Sequence, residues 1–222
     1  SIIDGQTREK RPFTSKDGAD AIRVADALAN IDVVGVVGAY SDVPAEIAGR
    51  TAYLQALQLS EKPVTCAVDS LPELAGILEM AACVAGGPGA LRTAPHTVLS
   101  TGPTSPLVIP GYTVEHLLRC AGLGVPVFSG SMPCLGATGP VTLAGNVALG
   151  NAESLASLVL SQVKCPGAPV ILGGFPITMD MRSTLFCYGA PESALMVSAW
   201  TAVAEHYGLP MAVATGGTLA RK

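Results

Sequence analysis

Six short runs of almost uninterrupted apolar residues, with a helical stretch between each pair, constrain this chain more than any other feature. They are Val33–Tyr40 (VVGVVGAY), Pro63–Val68, His96–Thr101, Val125–Ser129, Pro169–Gly173 and Pro210–Ala214. A strand with one wet face alternates polar and apolar residues. These runs do not, so each must be covered on both faces. The segments Ala19–Asn30, Ala45–Leu59, Leu71–Ala85, Thr113–Ala121, Val141–Val163 and Glu192–Tyr207 read as helices. Strand and helix in alternation specify a parallel sheet with right-handed crossovers. Two α/β architectures satisfy this: a doubly wound open sheet, complete at six strands, and a (β/α)8 barrel lacking two units. A strand-to-strand spacing of roughly 30–40 residues suits both, and both bind ligands at the carboxyl ends of their strands. The repeat favours one domain over the whole chain, 1–222.

Composition narrows the function. The 222 residues are 49% hydrophobic and 14% charged, against about 25% charged in an average soluble domain, so much of the surface is expected to be buried against the chain itself or a partner. The net charge is −4 without a long basic run, which gives nucleic-acid binding little support. Six cysteines lie far apart with no C-x-x-C, and three histidines are scattered. Neither a metal site nor a Ser-His-Asp arrangement can be argued from them. Reduced thiols, no secretory signal at Ser1–Gly5, and Asn146, Asn151, Glu153 and Gln162 within the most apolar helix predict a cytoplasmic protein without a membrane span. The opening at Ser1 suggests a piece of a longer protein.

The stretch Pro133–Glu153 (PCLGATGPVTLAGNVALGNAE) places a Gly-rich loop between a strand and a helix, where backbone N–H groups often face a ligand. It matches neither a Walker loop nor G-x-G-x-x-G. Pro140 is expected at the first helical position, capped by Thr138 or Gly139. Gly145 and Gly150 each cost about 1 kcal/mol in a helix relative to Ala, which predicts a break near Gly150 with Asn151 as a new cap. Glu153 then falls in a helical first turn, where the dipole favours a carboxylate without any catalytic role.

Polar residues after each strand converge on one end of the sheet: Tyr40, Ser41 and Asp42; Asp69 and Ser70; Thr104 and Ser105; Ser129, Ser131 and Met132; Thr178, Asp180 and Arg182; and Thr215. Asp42 and Asp69 can equally be helix caps. Asp180 and Arg182 lie in Gly174–Ala190, a connection much longer than the usual 2–6 residues, which points to function or a partner; an i,i+2 surface pair is the alternative.

Several segments, in order along nearly the whole chain, resemble the corrinoid-dependent trimethylamine methyltransferase family. They are Pro103–Leu107 (PTSPL), Gly136–Gly145 (GATGPVTLAG) with Asn151–Glu153 after it, Pro166–Gly174 with Met179–Arg182 (MDMR), and Tyr207–Pro210 (YGLP) with Gly216–Gly217. Arg8–Ser15 and Asn30–Gly35 fit as well. The resemblance implies a TIM (β/α)8 barrel, incomplete here with six βα units. It also implies methyl transfer from trimethylamine or a quaternary, betaine-type amine to the Co(I) of a corrinoid (cobalamin) held on a separate protein. A homo-oligomer is expected. The trimethylamine branch of the family uses pyrrolysine; none occurs in this sequence.

By the same resemblance, Asp180 and Arg182 are the expected catalytic residues. Tyr40, Asp69, Thr104, Ser105, Met132, Thr138 and Phe175 are expected to bind the substrate. Aromatic faces and carboxylates suit a cationic amine, and Arg182 suits the carboxylate of a betaine. Phe186 and Tyr188 offer further aromatic faces. The competing readings are a non-catalytic quaternary-amine-binding barrel and a different TIM-barrel enzyme such as an aldolase. The latter is disfavoured because Lys62, Lys164 and Lys222 are not at strand ends.

Overall fold

The computed structural model describes residues 1–35, 38–68 and 70–213. Asp69 and Thr215 therefore lie outside the described residues, as do Gly216 and Gly217. The chain divides into two compact units, Ser1–Leu99 with Leu123–Val125, and Ser100–Gly122 with the residues from Pro126 onward.

In the first unit, β1 (Ile2–Ile3) and β2 (Lys10–Arg11) form an antiparallel pair. The Arg11 guanidinium reaches Asp4 at 3.0 Å and both Asp17 oxygens at 2.7 Å. Asp17 in turn accepts the Thr14 backbone N–H at 2.9 Å and closes a capping box at the start of α1 (Ser15–Ala27). The strand and helix expectations hold with shifted ends: β3 (Val34–Gly35) runs parallel to β4 (Val64–Ala67), with α2 (Ala45–Leu59) between them and α3 (Leu71–Ala85) after. The hydrogen-bonded order continues from β3 and β4 to β5 (Thr97–Thr101), whose last two residues belong to the second unit. Phe13, Tyr40 and Ala52 form a buried cluster joined by Ile2 and Val43.

Caps in this unit follow the chemistry but not always the neighbour expected. Ser70 caps α3 by accepting the Glu73 N–H at 3.4 Å. Asp42 caps α1 rather than the helix after it, accepting the Ser15 N–H at 2.8 Å and the Ser15 hydroxyl at 2.7 Å. Pro44, with no side-chain oxygen to offer, stands at the cap of α2.

In the second unit the hydrogen-bonded order is β5, β6 (Val127–Ser131), β8 (Val170–Gly174) and β11 (Met211–Val213), with β6, β8 and β11 parallel. Helix α4 starts at Gly111 and extends to Leu123. A second, three-stranded sheet pairs β7 (Cys134–Leu135) in parallel with β9 (Ile177–Asp180), and β9 antiparallel with β10 (Leu185–Cys187). The long connection after β8 is therefore a hairpin, which its few alternating residues did not announce. The α/β class is thus present, with six strands alternating with helices.

Helix α5 runs unbroken from Leu143 to Lys164, with Thr142 as its cap, and packs on β6, β8 and α6 (Pro191–Tyr207). This corrects two expectations. Pro140 precedes the helix, because Thr142 accepts the Gly145 N–H at 3.3 Å and fixes the first turn there. There is no break at Gly150, because the Trp200 ring fills the space a side chain would need: a Cβ at 150 would sit 2.4 Å from Trp200 Cη2. Val147, Met196 and Trp200 form the buried cluster at this helix pair. The helix is long and apolar enough to cross a membrane by length and composition, yet its packed face buries Asn146, Glu153, Ser154, Ser157 and Ser161.

Candidate functional site

The strand ends of the second unit carry a pocket of about 410 Å³. Three segments build it. The loop after β5 supplies Pro103, Thr104 and Ser105; the end of β6 and the loop through β7 supply Met132, Cys134, Ala137 and Thr138; the hairpin supplies Ile177, Met179 and Phe186. Four of the residues expected to bind substrate, Thr104, Ser105, Met132 and Thr138, are thus brought together.

Each wall is fixed by local bonds. The loop after β5 closes on itself through the Thr104 N–H to Val108 carbonyl bond at 2.7 Å and its reverse at 3.1 Å. The Gly-rich loop is likewise self-satisfied. The Ala137 and Gly139 N–H groups donate to the Cys134 carbonyl at 3.0 and 2.9 Å, and the Gly136 N–H to the Gly139 carbonyl at 3.2 Å. The Cys134 N–H donates to Thr138 Oγ1 at 3.0 Å. With these donors spent inside the loop, it is not a ready anion cradle; the Thr138 hydroxyl keeps its proton available. Burial, with Cys187 nearby, pushes the Cys134 thiol above its ordinary pKa.

Beneath the pocket lies Glu153, 2% exposed, on the inner face of α5. Its Oε2 accepts the Ser105 hydroxyl at 2.8 Å and the Ser131 hydroxyl, and its Oε1 accepts the Leu107 N–H at 2.7 Å. The sequence placed Glu153 in a first turn with no role beyond the dipole. It is instead the eleventh residue of an unbroken helix, buried against the loop that forms the pocket's wall.

The other expected residues lie elsewhere. Phe175 stands edge-on to Phe128, ring centroids 6.0 Å apart, and borders a separate cavity of about 270 Å³ with Tyr188 and Val197. Asp180 is at the exposed end of β9. Its carboxylate accepts the Arg182 N–H at 3.0 Å and the Ser183 hydroxyl at 2.7 Å, an Asx-type turn that closes the hairpin. The Ser183 bond first, then the Arg182 N–H, holds its pKa below the usual carboxylate value. Arg182 is exposed two residues beyond the strand. Tyr40 belongs to the first unit's core, where its hydroxyl donates to Gln55 at 2.6 Å and burial raises its pKa.

Pro103, Cys134, Ala137, Ile177, Met179 and Phe186 also line the pocket and were not among the residues expected to bind substrate. Phe186 was legible as an available aromatic face; Met179 and Ile177 depended on the hairpin, whose pairing carries them over the loop. Among the described residues no cluster of three or more metal-ligating side chains occurs.

The sequence model of the trimethylamine methyltransferase (MTTB) family matches residues 2–222. A trimethylamine methyltransferase MttB of Desulfitobacterium hafniense is 36% identical over 216 residues, covering 97% of this chain and 44% of that protein. A glycine betaine methyltransferase from another strain of that species is 30% identical over 202 residues, covering 90% and 42%. A trimethylamine methyltransferase MttB of Methanosarcina thermophila is 38% identical over 112 residues, covering 50% and 23%. Among solved structures, the hydroxylamine complex of MtmB superposes with a TM-score of 0.59 at 12% identity, over 92% of this chain and 44% of that one. The chain spans less than half the length of each of these relatives.

Proposed function

With the chain belonging to the trimethylamine methyltransferase family, we propose that its six βα units are part of a (β/α)8 barrel and that the pocket under Thr104, Met132 and Phe186 receives a methylated amine. One observation carries this reading: the pocket is walled by hydroxyls, two thioethers, a thiol and an aromatic ring, with no Lys or Arg among its lining residues. A methylated ammonium has apolar methyls around a diffuse positive charge. Such a cation is favoured by aromatic faces, polarizable sulfur and hydroxyl oxygens, and disfavoured by nearby cations. The same lining offers no cationic partner for a substrate carboxylate, which favours trimethylamine over a betaine.

The family's acceptor is a corrinoid carried by a separate protein, and it supplies a Co(I) nucleophile when docked. The fit at this site is an apolar rim: Leu107, Val108, Met132, Met181 and Leu185 are large, exposed and borne by the segments that line the pocket or directly adjoin them. The chain's own part is positional. Phe186 and the two methionines orient the methyl groups and exclude water, and Thr104, Ser105 and Thr138 present oxygen atoms to the cationic nitrogen. Keeping that nitrogen positive makes the amine a competent leaving group, since it departs neutral with the electron pair of the broken carbon–nitrogen bond.

The intact protein, mixed with trimethylamine and either cob(I)alamin or its corrinoid protein, is expected to form methylcobalamin, visible by absorbance, with dimethylamine in equal amount. Binding of trimethylamine without methyl transfer would instead establish a non-catalytic amine-binding protein.

A further inference from the structure

We infer that Glu153 is a positioning residue whose buried negative charge, relayed through the Ser105 hydroxyl, makes the pocket select a cationic amine over an uncharged molecule of the same shape. The inference rests on the reading of the pocket as an amine site. Three donors face the carboxylate, two hydroxyls and one backbone N–H, and they occupy both of its oxygens. That set of three donors suits an ionised, acceptor-only carboxylate.

Ser105 connects this charge to the pocket, because it lines the pocket and also donates to Glu153. With its proton directed to Glu153, the Ser105 oxygen can present only lone pairs to a ligand. A hydroxyl polarised by a carboxylate is a stronger acceptor than one donating to water. A trimethylammonium group offers weak C–H donors and a spread charge, so it gains from such an oxygen and from the field of the carboxylate behind it. The low-dielectric surroundings lessen screening of that field. Ser131 and the Leu107 N–H, bonded to the same carboxylate, tie together the end of β6 and the loop after β5, the segments that precede or carry two of the pocket's walls. Glu153 thus sets the shape and the potential of the site without touching the substrate.

The test uses the intact protein with its corrinoid acceptor and compares two inhibitors of methyl transfer, tetramethylammonium and the uncharged 3,3-dimethylbutan-1-ol. Glu153→Gln keeps the volume but removes the charge. It is expected to weaken tetramethylammonium about tenfold, to leave the neutral alcohol within about twofold, and to raise KM for trimethylamine more than it lowers kcat. Ser105→Ala, which keeps the buried charge but removes the relay, should shift the same ratio in the same direction by a smaller factor. It also serves if the Gln variant does not fold. A merely structural Glu153 would weaken both inhibitors together, and that result, or an unchanged ratio in the folded variants, overturns the inference. If the unaltered protein binds no amine, the functional reading itself fails, independently of Glu153.

Discussion

At the scale of single residues, identity is set by what each side chain meets. Gly150 lies against the Trp200 ring, so Gly150→Ala is expected to cost about 1–3 kcal/mol through overpacking, despite the better helix propensity of Ala. A Cβ at Gly122, on α4, would meet no side chain or neighbouring element within 4 Å, and Gly122→Ala should gain about 0.5 kcal/mol. Urea denaturation of the two variants separates the cases; a stabilised Gly150→Ala would remove Trp200 as the reason for the glycine. The clasp of Asp4, Arg11 and Asp17 makes a pH prediction. Backbone N–H groups and Arg11 hold Asp4 at about 2, and Arg11 with Thr14 holds Asp17 well below its ordinary value. Both folded values are depressed, so the stabilisation is complete above about pH 4 and is lost as the pH falls toward the folded values. The protection of the Thr14 amide, taken relative to its intrinsic exchange rate at each pH, should fall over that interval. Asp17→Asn should lower the protection of Thr14 at neutral pH and flatten its acid dependence.

At the scale of elements, the hairpin β9–β10 and the helix α5 decide where the site forms. Asp180 makes the turn between the hairpin strands through two accepted bonds, and an Asn at that position retains an acceptor while losing the charge. Asp180→Asn is therefore expected to keep most methyl transfer, whereas Asp180→Ala should lower it by loosening the segment that carries Met179 and Phe186. Equal loss in both variants would show that the carboxylate charge itself is needed, as the resemblance to the family suggests. The hairpin was hidden in the sequence because its strands, four and three residues long, carry too little alternation to distinguish them from loop. The continuity of α5 was hidden for a different reason. Two glycines lower local helix propensity, and the packing of Trp200 and the buried serine face outweighs that cost only once the neighbours are in place.

At the scale of the whole molecule, the six cysteines differ in access. Cys83 is exposed, while Cys120 is fully buried and its thiol is pushed up to about 12 by desolvation. A thiol reagent at pH 8 should label Cys83 at once and Cys120 only at the rate of unfolding; rapid labelling of Cys120 would mean that α4 opens locally. The sequence alone determined the alternation of buried strands and helices, the loop residues after those strands, and the family, because apolar periodicity and motif order are local properties of the chain. It brought Thr104, Ser105, Met132 and Thr138 into one list without showing that they share a pocket. Tertiary structure decided the rest. Asp42 caps a helix 27 residues back, and Glu153 finds its partners 22, 46 and 48 residues away. A buried carboxylate needs donors wherever the fold supplies them, and their separation along the chain leaves no periodic trace in the sequence.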